Sequence, residues 1–267
     1  MIGIFDSGLG GLTIAKEIFK LFPSYPLLYF GDTANLPYGL KPKHLVREYS
    51  EEAVDWMKKK GANLIIIACH TSSCLAGDYL KKKFYPFPVI DMIASTVKAG
   101  VNSTSNGKIG IIGTPSTIKS EVYQKKLQEE DPSLKIYSQA CPLLVPLVEE
   151  GWENEKMTKR IIQKYLLPFQ SNDIDALILG CTHYPLLTKV IQEAMGENVK
   201  LVDPAFEIAQ TLKPLLNRNQ DSNLELKEEN MHQFFFSAYP YNFKKISQRC
   251  LGQEIDPKII FPPGKVN

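Results

Sequence analysis

Cys69 and Cys181 each close a run of apolar residues and are followed at once by polar ones, in Leu64-Ile65-Ile66-Ile67-Ala68-Cys69-His70-Thr71 and Leu177-Ile178-Leu179-Gly180-Cys181-Thr182-His183. Cysteine suits proton transfer because its reference pKa, about 8.5, is close enough to neutrality for the surroundings to decide between thiolate and thiol. Two such groups on opposite sides of one carbon can do what a single one cannot: one removes a proton from one face and the other returns a proton to the opposite face. This is the chemistry of inverting an α-carbon. It requires the two thiols to rest in opposite protonation states and to exchange roles with the enantiomer bound.

Other side chains share these positions. Asp6 and Ser7 follow the first apolar run, and Gly8, Gly10 and Gly11 open the next helix, where free backbone amides would hold a carboxylate. His183, two residues after Cys181, is placed to donate a proton or to set the state of the thiol. Glu149 and Glu150 end an apolar segment and are candidates to approach the second thiol. Each feature also has a plainer reading. A cysteine ending a buried strand is commonly a small hydrophobe, as Cys74, Cys141 and Cys250 are taken to be. A metal site built on Cys69, His70, Cys181 and His183 would lack the tight local ligand pairs of zinc sites, so no metal is expected. Gly8 to Thr13 has threonine where G-x-G-x-x-G needs its last glycine, which makes it a tight turn rather than a nucleotide loop. Pro37-Tyr38-Gly39, taken alone, is an ordinary turn.

The elements that must carry these residues alternate between strand-like and helical patterns. Strands are predicted at 1–5, 26–31, 63–69, 88–91, 108–113, 134–138, 176–180, 199–202 and 233–237. Helices fall between them, among them 12–21, 43–60, 117–129, 158–167 and 205–217. Runs such as Leu64 to Ile67 and Leu177 to Leu179 are apolar on both faces, as parallel strands covered by helices must be. The pattern also repeats. Ile2-Gly3-Ile4-Phe5-Asp6-Ser7 resembles Ile109-Gly110-Ile111-Ile112-Gly113-Thr114, and in each copy the cysteine follows about 70 residues later. The fold class is therefore α/β, with two pseudo-symmetric domains, each a mostly parallel sheet flanked by helices. Ligands bind beyond the carboxyl ends of parallel strands, so the active site belongs in the cleft between the domains, with one thiol from each copy.

Composition narrows the partners. The 267 residues are 44% hydrophobic, enough for two small cores. A net charge of +2, from 31 basic and 29 acidic residues, supplies no field to attract nucleic acid or an anionic membrane. No run approaches the roughly 18 apolar residues of a membrane span, and the N-terminus lacks the charged start and long apolar run of a signal peptide. The five cysteines contain no C-x-x-C pair and read as free thiols of a cytoplasmic protein.

With these residues in place, the sequence resembles the glutamate racemases of the aspartate/glutamate racemase superfamily. The resemblance runs through Ile2 to Leu12, Tyr29 to Gly39, Ala68-Cys69, Val145 to Gly151 and Leu179 to Leu187, about the first 190 residues. It implies interconversion of L- and D-glutamate without pyridoxal phosphate or metal, supplying D-glutamate for peptidoglycan. By the same resemblance Cys69 takes the proton from D-glutamate, assisted by Asp6, and Cys181 takes it from L-glutamate, assisted by Glu149 and His183. Asp6, Ser7, Pro37, Tyr38, Gly39, His70, Thr71, Thr182 and His183 then match substrate-binding positions. It further implies a homodimer and a first domain of residues 1–94 plus 206–267, with residues 95–205 forming the second.

The departures lie in three places. His70 stands where the family usually has asparagine, and a bulkier, chargeable side chain bears on affinity, pH dependence and substrate choice. Val202-Asp203-Pro204-Ala205 and Ser237-Ala238-Tyr239-Pro240 replace a more usual Asp-Ser-Gly stretch and a Gly-Asp turn. Two alternatives follow: racemisation of aspartate or another amino acid by the same thiols, or a degenerate relative acting as a binding protein. The presence of Asp6, Cys69, Cys181 and His183 together speaks against the second.

Overall fold

The computed structural model describes residues 1–216, 232–240 and 242–260. The remaining parts of the predicted first domain, and Asn217 at the end of a predicted helix, lie outside the described residues. The strands are β1 (Ile2–Asp6), β2 (Leu27–Gly31), β3 (Leu64–Ile67), β4 (Val89–Asp91), β5 (Lys108–Gly113), β6 (Lys135–Ala140), β7 (Ala176–Gly180), β8 (Lys200–Val202), β9 (His232–Phe236) and β10 (Lys258–Ile259). The helices are α1 (Leu12–Leu21), α2 (Lys43–Lys59), α3 (His70–Phe84), α4 (Ile93–Ser103), α5 (Pro115–Lys119), α6 (Val122–Glu130), α7 (Leu144–Glu150), α8 (Lys156–Gln170), α9 (Thr188–Met195), α10 (Pro204–Thr211), α11 (Lys213–Leu216) and α12 (Phe243–Leu251).

The strands form two parallel sheets, ordered β10-β9-β2-β1-β3-β4 and β6-β5-β7-β8. The order β2-β1-β3-β4 of the first is that of the whole second sheet, so the repeat in the sequence is a repeat of topology. Alternation along each strand divides its side chains between two cores. In the first sheet Ile2, Ile4 and Tyr29 pack with α1, α10 and α12, while Phe5, Phe30, Ile65 and Ile67 pack with α2 and α3. In the second, Ile112, Leu177 and Leu179 face α7, α8 and α9, while Ile109, Ile111 and Ile178 face α4 and α6. Helix α2 shows the local rule: its buried Val46, Ser50, Ala53, Val54 and Met57 recur at helical spacing and form one stripe.

Two predicted helices are broken. The segment 117–129 divides into α5 and α6, with Glu121 between them in the left-handed region at φ 56°. The segment from 205 stops at Thr211 and resumes as α11, where Pro214 has no N–H for the ladder and disfavours helix just before it. Strand β3 ends at Ile67, and Cys69 leaves the strand as the extended N-cap residue of α3. Among the described residues no helix is long and apolar enough to cross a membrane.

Candidate active site

In each sheet the chain leaves the central strand to one side and returns on the other, between β1 and β3 and again between β5 and β7. Such switch points open crevices at the carboxyl ends of strands, and here both open on one cavity of about 280 Å³. The first sheet contributes Ser7 after β1, residues 36–40 after β2 and Cys69, His70 and Thr71 after β3. The second contributes Thr114 and Pro115 after β5, Cys141, Val145, Pro146 and Glu149 after β6, and Gly180 at the end of β7 with residues 181–183 after it. Cys69 and Cys181 occupy equivalent places in the two copies and line the same cavity.

Their surroundings differ. Cys69 Sγ lies 3.4 Å from Ser7 Oγ. Burial, reinforced by the nearby Asp6 carboxylate, pushes the Cys69 thiol up and favours its protonated form. Cys181 Sγ lies 3.9 Å from His183 Nδ1. On the far side of that ring, Nε2 is in ion contact with Glu149 Oε1 at 3.3 Å, out of line for a hydrogen bond. Burial works against the His183 cation, but Cys181 and Glu149 outweigh it and hold the imidazole well above its usual range. One thiol therefore sits near a buried carboxyl group that pushes its pKa up, and the other beside a buried imidazole held towards its cation.

Asp6 does not line the cavity: it is fully buried beneath it. Its Oδ1 accepts from the Gly8 amide at 2.9 Å and its Oδ2 from Thr182 Oγ1 at 3.2 Å, which ties the end of β1 to the Cys181 loop. Burial raises its carboxyl against the pull of His183 and of the Gly8 and Gly11 amides. The expectation that the Gly8, Gly10 and Gly11 amides are free for a substrate carboxylate is corrected for Gly8, whose amide Asp6 already occupies. Gly10 is required by close approach: a Cβ there would stand 2.3 Å from Thr182 Oγ1 and 2.6 Å from His183 Nδ1.

The structure brings Ser7, Pro37, Tyr38, Gly39, His70, Thr71, Thr182 and His183 to the cavity wall. Tyr38 turns its hydroxyl away, donating to Asp32 Oδ2 at 2.6 Å. His70 could carry charge by residue type, but burial pushes it down to about 3, which favours the neutral ring. Glu150 does not line this cavity.

Three residues were missed from the sequence. Asp32 gathers Tyr38, Asn35 and Ser237 and so holds the residue 36–40 segment against the first sheet. Nothing in local sequence distinguishes Asp32 from a turn aspartate. Thr114 had a signal, since it aligns with Ser7 in the repeat, and its hydroxyl meets Thr71 at 2.9 Å across the gap between sheets. Cys141, read as a packing residue, lines the cavity as well, with burial pushing its thiol far up. The end of α7 is fastened from the opposite sheet: Asn242 Nδ2 donates to the Glu149 carbonyl at 3.1 Å and Arg249 Nη1 to the Val148 carbonyl at 3.2 Å. The first fills an acceptor position that a helix end leaves open, and the second adds to the Val148 carbonyl, which also accepts from the Gly151 amide at 3.0 Å.

A parallel-sheet repeat that presents paired acid/base side chains to one enclosed cavity is the architecture of an amino-acid racemase, an isomerase. The chain belongs to the Asp/Glu/Hydantoin racemase family, whose model matches residues 13–212. Glutamate racemase from Aquifex aeolicus (strain VF5) is 40% identical over 258 residues, covering 97% of this chain and 96% of its own. Glutamate racemase isoform RacE1 from Bacillus anthracis superposes with a TM-score of 0.90 at 36% identity, over 99% of this chain and 98% of its own. Glutamate racemase from Francisella tularensis subsp. tularensis SCHU S4, solved in complex with D-glutamate, matches with a TM-score of 0.89 at 33% identity, over 97% and 96%.

Proposed function

We propose that this protein interconverts L- and D-glutamate without a cofactor, passing the Cα proton between Cys69 and Cys181, and supplies D-glutamate for peptidoglycan in the cytoplasm. The observation that carries this reading is the placement of the two thiols at equivalent strand ends of two sheets, lining one cavity, with the Asp6 carboxyl behind one and the His183 ring beside the other. Glutamate as substrate is supported by relatives that are glutamate racemases, among them one 40% identical over nearly the whole chain and one solved with D-glutamate. We take the two units to be residues 1–94 with 206–267, and 95–205, working as a homodimer.

From L-glutamate, Cys181 acts as the thiolate, beside the His183 cation. It takes the Cα proton, forming S–H as C–H breaks and leaving a carbanion whose charge is delocalised into the α-carboxylate. Cys69, held as thiol, gives its proton to the opposite face, so that a new C–H forms and the negative charge ends on Cys69. D-Glutamate runs the steps in reverse. Glu149 keeps His183 cationic, Asp6 biases Cys69 towards the thiol, and Thr182 links the two sides through Asp6.

Solvent-deuterium exchange tests this directly. Either enantiomer of glutamate incubated in D₂O yields its mirror image deuterated at Cα. Absence of exchange, or faster exchange with aspartate than with glutamate, overturns the proposal.

The pH profile provides a second check. Glu149 is one of the groups that raise His183, so Glu149→Gln lowers the pKa of that imidazole. The cation is then lost at lower pH, and the alkaline limb of kcat/KM moves towards neutrality. A limb that stays in place shows that Glu149 does not act through His183.

A further inference from the structure

Two further crevices adjoin the active-site cavity, and their linings carry opposite charge. The first, of about 310 Å³, shares Leu36 and Glu149 with the cavity and adds Glu150. No basic side chain lines it among the described residues; Lys245 of α12 reaches Gly151 at the end of α7, outside that lining. The second, of about 660 Å³, shares Gly39, Leu40 and Pro115 with the cavity. Lys41, Lys43 and Lys119 line it, and among the described residues no carboxylate does. A residue that lines two spaces is all that separates them at that point, so each crevice is one residue away from the cavity.

The charge of the ligand chooses between them. Near neutral pH an amino dicarboxylate carries two carboxylates and one ammonium, and is a net anion. A cleft walled by protein and lined by one sign of charge concentrates ions of the opposite sign. The basic crevice therefore draws the ligand in and the acidic one turns it away, although the chain as a whole, at +2, has almost no field of its own.

The basic crevice also lies over a seam between the two sheets. Residues 38–41 follow β2 of the first sheet, whereas α5 belongs to the second. They meet through neutral contacts: a Cβ on Gly39 would stand 2.6 Å from Thr114 Cβ, and Ser116 Oγ donates to the Lys41 carbonyl at 3.3 Å. On the side of the acidic crevice, α12 is fastened to the end of α7 by Asn242 and Arg249, and Arg249 also meets the Glu153 carboxylate.

We propose that the amino acid enters and leaves through the seam between residues 39–41 and α5, steered there by Lys41, Lys43 and Lys119. This rests on the racemase reading, which supplies the anionic ligand. None of the three lysines lines the cavity itself. They act on the approaching ligand through their field, which changes association and its salt dependence far more than dissociation.

The test measures association and dissociation rates of glutarate, an unreactive dicarboxylate, from NMR line shapes across a titration of the full chain. Replacing all three lysines (Lys41→Glu, Lys43→Glu and Lys119→Glu together) is expected to slow association about tenfold at low salt, the lower end of the range for electrostatic steering. Dissociation stays within about twofold, and the difference in association closes near 1 M salt, where charges are screened beyond about 3 Å. In Glu150→Lys, at the acidic crevice, association changes by about twofold or less. If the triple reversal does not fold, glutamine at the same three positions carries the comparison, with a loss of about threefold. Unchanged association in the lysine variant overturns the proposal, as does a loss that persists at high salt or appears mainly in dissociation, because the lysines would then act by contact or shape. A large gain in Glu150→Lys overturns it too, by moving the passage to the other crevice. None of these rates needs turnover, so failure of α-proton exchange in a protein that still takes up glutarate past the lysines would end the racemase reading alone.

Discussion

Cys181→Ser is expected to lower kcat/KM for racemisation of glutamate by about 10³-fold, within the range by which a positioned acid or base contributes to proton transfer. Serine keeps the size and burial of the side chain, but its hydroxyl ionises far less readily than a thiol, and the His183 cation would then face a neutral oxygen. Cys69→Ser is expected to cost as much. The enantiomers have equal free energies in water, so kcat/KM must fall equally in both directions whichever thiol is replaced. The two variants are distinguished by isotope exchange. With Cys181 replaced, Cys69 still reaches D-glutamate, so residual exchange is confined to that enantiomer; with Cys69 replaced, it is confined to L-glutamate. Turnover within tenfold of the unaltered protein in either variant, with folding verified by circular dichroism, removes the two-thiol mechanism.

Gly10→Ala is expected to lower kcat by about 10²-fold, the scale on which a displacement of roughly an ångström at a reacting group is felt. The added methyl would stand 2.3 Å from Thr182 Oγ1 and 2.6 Å from His183 Nδ1. Neither side chain has slack, because Thr182 is tied to Asp6 and His183 lies between Cys181 and Glu149. The ring must therefore turn off Cys181. Gly8→Ala, whose Cβ meets only the Leu36 side chain at 3.4 Å, is expected to lose far less. A Gly10→Ala protein that melts normally and keeps its turnover shows that the His183 ring position does not govern the rate.

The two kinds of information can be separated residue by residue. Strand positions were legible because parallel strands buried on both faces are continuous apolar runs, and β1, β5 and β7 differ from expectation by at most one residue at either end. The break at Glu121 was not legible, because a left-handed residue leaves helical periodicity on both sides of it unchanged. The Gly8 amide after β1 looked free because a sequence does not show that Asp6 folds back onto it. His70 looked chargeable because its intrinsic pKa is near neutral; only its burial against Tyr123 removes the charge.

By itself the amino-acid order determined the parallel α/β repeat and the two thiols that it carries to corresponding strand ends, because periodicity and the residue following a strand are local properties. Only the tertiary structure decided that those ends share one cavity, that Asp6 lies behind one thiol and His183 beside the other, and that α12 reaches across to fasten α7. These depend on distances between residues far apart in the chain and on exclusion of water from the groups between them, and burial and partner charge set protonation at such sites more than residue type does.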